Sequence, residues 1–90
     1  MQMTFKPTRA TLDVLQVLLL GGDELDLTRI AKRTRRTTPT ITIVLMRLER
    51  AGWATSQWQG GTHTTRPRRR YYQLHPDYTD AARALIDTHR

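Results

Sequence analysis

Residues 26–52 read DLTRIAKRTRRTTPTITIVLMRLERAG, and this stretch decides the fold. Asp26 stands where an N-cap belongs, and Leu27, Ile30 and Ala31 give one apolar face to a short helix ending near Arg33. Thr34 to Thr38 then make a polar turn. Pro39 suits the first turn of a further helix, with Thr37 or Thr38 capping it and Gly52 ending it. At about 100° per residue, Ile41, Val44, Leu45, Leu48 and Gly52 share one side of that helix. Pro39, Thr42, Ile43, Met46 and Arg50 lie opposite, with Thr40 and Arg47 together on a flank. Two short helices joined by a tight polar turn are thus predicted, the second with an outward face that is partly apolar.

Upstream, Met1 to Pro7 reads as a short arm, and Thr8 to Leu20 as a helix with Leu12, Leu15, Leu18 and Leu19 at helical spacing, stopped by Gly21-Gly22. Val14, Val17 and Leu20 fall off that stripe, so the helix is expected to touch a second surface, a partner chain. Downstream, Trp53 to Gln59 is rich in Trp and Thr and reads as a strand. Gly60-Gly61 opens a polar stretch to Pro67, and Arg69 to Leu74 returns as the paired strand. That loop exceeds the two to five residues usual for a hairpin, which points to a functional role. Pro76 starts a last helix with Asp77 and Asp80 in its first turn and the stripe Tyr78, Ala81, Ala82, Leu85 and Ile86.

Charge is segregated along this plan. Eleven of the fifteen basic residues occupy two acid-free windows: Arg29, Lys32, Arg33, Arg35, Arg36 and Arg47 between Asp26 and Glu49, and Arg50, Arg66, Arg68, Arg69 and Arg70 between Glu49 and Asp77. A merely solvated surface intersperses both signs. The order helix, helix, turn, helix, basic hairpin, helix is that of a winged helix-turn-helix, in which the third helix enters the major groove and the hairpin reaches the backbone or minor groove. The predicted class is therefore mainly α with a two-stranded β-hairpin, in the order α-α-α-β-β-α. Residues 1–7 form the arm, and residues 8–88 the DNA-binding domain with a C-terminal dimerisation helix.

Composition agrees. Ninety residues make one small domain, which buries only about 60–65% of its unfolded-chain surface and has no cysteine to staple it, so dimerisation is expected from size alone. A formal charge of +7 and a pI near 11.1 favour a polyanionic partner. The absence of Cys fits a reducing compartment. The longest apolar run, Val17 to Leu20, is far short of the roughly 20 residues of a membrane span. No signal-peptide pattern follows Lys6 and Arg9, and a cytoplasmic protein is expected. His63, His75 and His89 have no carboxylates or thiols at ligand spacing, so no metal and no cofactor is expected. The eight acids offer no pair beside a nucleophile, and no phosphate loop is visible, so the chain is not read as an enzyme.

The residues also resemble the PadR-like transcriptional regulators. LDVLQVLLLGGDELDLTRIAKRT (12–34) is similar to their first helix and entry into the helix-turn-helix, and TPTITIVLMRLERAGW (38–53) to their recognition helix with its Arg-Leu-Glu-x-x-Gly ending. ATSQW (54–58) and RPRRRYYQLHPDYTDAARAL (66–85) are similar to their wing and C-terminal helix. Thr42 stands where the family usually carries an aromatic residue, and His75-Pro76-Asp77-Tyr78 replaces the usual Thr-x-x-Gly. The resemblance implies a dimeric regulator of transcription, a repressor that occupies a pseudo-palindromic site.

Roles follow from position. Thr38, Thr40, Thr42, Ile43 and Arg47 are expected to read bases, through hydroxyls, a contact of Ile43 with a thymine methyl, and an Arg47 bond to guanine. Arg29, Lys32, Arg33, Arg35, Arg36 and Arg50 are expected on phosphates. Gly60, Gly61, Thr62, His63, Arg66, Arg68 and Arg69 form the wing, with Arg66 and Arg68 suited to a narrow minor groove. Val14, Val17, Leu20, Tyr78, Ala82, Leu85 and Ile86 are the expected homodimer contact. Trp53, Trp58, Tyr71 and Tyr72 are read as core and cross-strand packing. Double-stranded DNA is the expected partner, no membrane is, and the residues name no small-molecule effector. A competing reading is a nucleoprotein or protein-interaction adaptor that binds by charge, without sequence choice.

Overall fold

The computed structural model describes residues 7–22, 24–58 and 69–89. Helix α1 (Arg9–Leu20) starts where Thr8 Oγ1 accepts the Thr11 N–H at 3.2 Å, and it stops at Gly21, whose φ is +67°. Helix α2 (Leu27–Thr34) is capped by Asp26, whose Oδ1 accepts the Arg29 N–H at 2.8 Å. Helix α3 (Thr38–Arg50) is capped by Thr37, which receives the Thr40 N–H at 3.4 Å, and Pro39 occupies its first turn. In each case a short polar side chain satisfies an orphan donor, as the sequence predicts for Asp26 and Thr37; Thr8, expected as the first residue of α1, is its cap.

Helices α2 and α3 end in the same way. Arg36 N–H bonds Ala31 O at 3.1 Å and Arg35 N–H bonds Lys32 O at 3.3 Å; Trp53 N–H bonds Leu48 O at 2.9 Å and Gly52 N–H bonds Glu49 O at 3.0 Å. This double closure requires a left-handed residue. Gly52 supplies it at the end of α3 with φ +81°, whereas at the end of α2 the residue is Arg35, with φ +58°. A non-glycine residue thus carries the sharp turn into α3, and α2 runs one residue beyond the expected Arg33.

Strands β1 (Ala54–Trp58) and β2 (Arg70–Leu74) pair antiparallel, with Ala54 opposite Leu74 and Trp58 opposite Arg70. A bridge from Asp26 to Tyr71 and a 2.9 Å bond from Tyr72 N–H to Leu25 O add a short third edge just before α2, which the sequence pattern did not reveal. The segment expected to open the last helix is a 3-10 turn over Pro76–Tyr78, in which His75 Nδ1 accepts the Asp77 N–H at 3.1 Å; helix α4 (Thr79–Thr88) follows.

The core lies where the elements converge. Leu15, Leu25, Ile30, Ile41, Leu45 and Leu48 are fully buried, each contributing about 1.5–3 kcal/mol of transfer free energy. Trp53 closes one end, stacked on Tyr78 with centroids 5.1 Å apart. The stripe of α3 behaves as expected: Ile41, Val44, Leu45 and Leu48 are buried, while Thr42, Ile43, Met46 and Arg50 are exposed. The expected role of Val14, Val17 and Ala82 at a partner surface is corrected, since all three lie in this chain's own core, where α1 packs on α2, α3 and α4 together. The all-round apolar character of α1 reflects intramolecular neighbours on several sides, the three other helices and β2.

Candidate nucleic-acid interface

The outward side of α3 presents Thr38, Thr42, Ile43, Met46, Arg47 and Arg50 to solvent. Ile43 is 51% and Met46 46% exposed, a pair of large apolar side chains that the core does not use. Met46, not among the expected base-reading residues, belongs on this face; its place one turn from Ile43 and Thr42 was the signal. Thr40 is half-buried, and its hydroxyl accepts from Thr37 Oγ1 at 3.0 Å, so it tightens the cap of α3. The Thr42 hydroxyl donates to Thr38 O at 2.8 Å. What Thr42 can offer a partner is therefore a methyl group and an acceptor oxygen, its proton being spent on the helix.

Around that face the cations are arranged unevenly. Lys32, Arg33, Arg35, Arg47 and Arg50 are exposed and make no ion pair among the described residues. Arg29 stands 4.0 Å from Glu24 with both side chains at least half exposed, a contact too loose to hold it. Arg36, also expected on phosphates, is different: its guanidinium donates twice to Asp13 and ties the α2–α3 turn to α1. Arg69 bonds Asp26 Oδ2 at 3.2 Å while remaining 62% exposed. Gly60, Gly61, Thr62, His63, Arg66 and Arg68 lie outside the described residues.

The hairpin meets α3 through Glu49. Ser56 Oγ and Arg70 Nη2 each donate to Glu49 Oε2 at 3.0 Å. Trp58, expected in packing between strands, is instead 56% exposed, with the Arg70 guanidinium 5.5 Å from its ring centroid. The sheet extends beyond the core at that end, leaving a cation as the indole's neighbour. Burial pushes the Tyr72 phenol above its ordinary value; Arg70 pulls it back and Glu49 pushes it further up. Helices α1 and α4 frame a groove of about 290 Å³ lined by Gln16, Leu19, Leu20, Arg83, Ile86 and Asp87, none of them on α3. Leu20 is 77% exposed there, and Tyr78, Leu85 and Ile86 are half-buried.

Solved structures share this arrangement. A point mutant of S. aureus MepR superposes with a TM-score of 0.71 at 25% identity over 91% of this chain and 58% of its own. A protein from Ralstonia eutropha JMP134, provisionally described as DNA-binding, superposes with a TM-score of 0.66 at 26% identity, over 90% of this chain and 96% of its own. The chain is a winged helix. It spans a little over half of the MepR length and nearly all of the Ralstonia protein. No family profile and no curated protein matches it, and the likeness to these solved structures is one of winged-helix fold. Among the described residues, no helix of this winged helix is long and apolar enough to cross a membrane.

Proposed function

We propose that this winged helix is a non-enzymatic, dimeric, sequence-specific DNA-binding regulator that represses transcription by occupying a two-fold symmetric site. The observation that carries the reading is the coincidence of shape and charge. The outward face of α3 is exposed and partly apolar, and Lys32, Arg33, Arg35, Arg47 and Arg50, on α2, its C-terminal turn and α3, are exposed with no ion pair among the described residues. Shape and charge of this kind suit a reading helix lying in a major groove with phosphates on either side. The DNA-binding description of the Ralstonia protein supports the same partner.

Within this reading, Arg47, Thr42, Ile43 and Met46 contact bases, the cations of α2 and its turn hold phosphates, and Arg69 begins the wing. The α1–α4 edge around Leu20 joins two copies so that α3 repeats about one DNA turn away, ~34 Å. PadR-like kinship rests on the Arg-Leu-Glu-x-x-Gly and Arg-Arg-x-Tyr-Tyr patterns alone. Selection from a random duplex pool, followed by competition against unrelated DNA at one salt concentration, tests the proposal. Recovery of a palindromic consensus retained under competition is the expected result; equal loss on every duplex points to a module that binds by charge.

A further inference from the structure

Glu49 is the one acid in residues 27–50, set among cations that the proposed function turns toward phosphates. An acid there repels DNA, and a partly exposed ion pair adds little to stability, so neither affinity nor fold accounts for it. Its contacts are specific. Ser56 Oγ and Arg70 Nη2 meet the same carboxylate oxygen at 3.0 Å, and Arg70 Nε donates to Ser56 Oγ at 2.7 Å, closing a triangle between α3, β1 and β2. The guanidinium lies 5.5 Å from the Trp58 ring centroid and 5.7 Å from that of Tyr72.

The triangle sits where the hydrophobic core runs out. Along β1, Ala54 is buried, Ser56 is half-buried and Trp58 is exposed, so packing fixes only the base of the hairpin. Beyond that base, the Asp26–Tyr71 bridge, the Tyr72 N–H bond to Leu25 O and the Arg69–Asp26 contact tie β2 to the segment before α2, while the tie to α3 itself is made by the carboxylate and the guanidinium.

We propose that Glu49 and Arg70 are positioning residues that fix the hairpin against α3, so that base choice in the groove depends on an ion pair that touches no base. The inference rests on α3 being the reading helix. Glu49→Gln removes the carboxylate charge, and Arg70→Lys keeps the cation but loses the fork that serves Ser56 and Glu49 together, each with a side chain of similar size; Glu49→Arg with Arg70→Glu restores the pair reversed. On the full chain, each single variant is expected to lower the ratio of affinities for the selected and a random duplex about three- to tenfold at fixed salt, and the swap to recover part of that loss. Amide exchange in the free protein is expected to quicken over Ser56–Trp58 in the single variants, a readout that needs no DNA.

Quicker exchange with an unchanged ratio overturns the proposal while leaving DNA reading by α3 intact. Glu49→Gln tightening all duplexes by one factor also overturns it, because Arg70 is then a phosphate ligand restrained by its partner. A parent protein with no preference among duplexes overturns the inference together with the proposed function. If Arg70→Lys fails to fold, Glu49→Gln decides, since it keeps an acceptor for Ser56.

Discussion

Arg36 reaches across from the α2–α3 turn to Asp13 of α1, donating to Oδ2 from Nε at 3.2 Å and from Nη2 at 2.9 Å. Both side chains are about one-third exposed, so the pair is neither a screened surface contact nor a buried one. It anchors the segment that leads into α3.

Asp13→Asn therefore has two expected effects of opposite benefit. Stability falls by about 0.5–1 kcal/mol, as for a well-oriented but partly solvated pair. Affinity for random DNA rises, because Arg36 is released and net charge increases by one. Thermal unfolding and a salt titration of binding measure the two effects. An affinity that falls instead means that orientation of the turn outweighs the added cation.

Arg35 supplies a related trade. It holds φ +58° at the end of α2, where glycine is the usual occupant, and an L-residue there costs about 1–2 kcal/mol relative to ordinary backbone. Arg35→Gly is expected to raise the unfolding free energy by up to about 1 kcal/mol, after the greater freedom of glycine in the unfolded chain is deducted. It removes one exposed cation, so the slope of log affinity against log salt should shrink by about 0.9. A stabilised variant with an unchanged slope would place Arg35 off the backbone.

The contrast between Arg35 and Gly52 shows what the sequence could reveal. Gly52 announces the end of α3 because glycine favours φ > 0, and Thr8, Asp26 and Thr37 announce helix starts because each is a short acceptor before an apolar period. Arg35 performs glycine's task without its signature. Val14 and Val17 were misread because periodicity counts apolar faces and cannot say whether the second face meets α4 or another chain. The Glu49–Ser56–Arg70 triangle was missed for a similar reason: both motifs were visible, but their contact spans 21 residues and depends on the strand register.

Leu20 tests the second chain directly. It is 77% exposed beside half-buried Leu19 and Ile86, at the edge of the groove between α1 and α4. Leu20→Glu is expected to leave the thermal midpoint of the isolated chain nearly unchanged and to make the protein sediment as a monomer at tens of micromolar. DNA retention should then weaken, since each half-site is gripped singly. A variant that stays dimeric moves the interface to another face.

Tyr72 gives a prediction in pH. Burial raises its pKa above 10.0, with Arg70 opposing and Glu49 reinforcing the shift. The folded chain thus keeps the phenol proton when the unfolded chain has begun to lose it. The associated stability is complete below the unfolded value of about 10 and is lost as pH rises through the folded value. Tyr72→Phe should flatten that alkaline decline, and Glu49→Gln should lower the pH at which the Tyr72 phenolate absorbance appears. No difference between Tyr72→Phe and the parent above pH 10 would show that the phenol is solvated.

Arg47 decides between reading and gripping. It lies on a flank of α3 with no ion pair among the described residues, while Glu49 is engaged by Ser56 and Arg70 and cannot neutralise it. If its guanidinium bonds a guanine edge, Arg47→Ala should cost about 1–3 kcal/mol on the selected duplex and much less on random DNA. Thr42→Val provides the internal comparison. Its hydroxyl proton is already held by Thr38 O, so the substitution removes an acceptor and leaves a methyl group in place, and it should change base preference modestly without abolishing binding. Thr40→Val, by contrast, removes the acceptor that Thr37 uses at the cap and should act on stability first. Affinities for selected and random duplexes at one salt concentration separate these cases. A loss on Arg47→Ala that is equal for both duplexes assigns that residue to phosphate and leaves Ile43, Met46 and DNA shape to carry the choice of sequence.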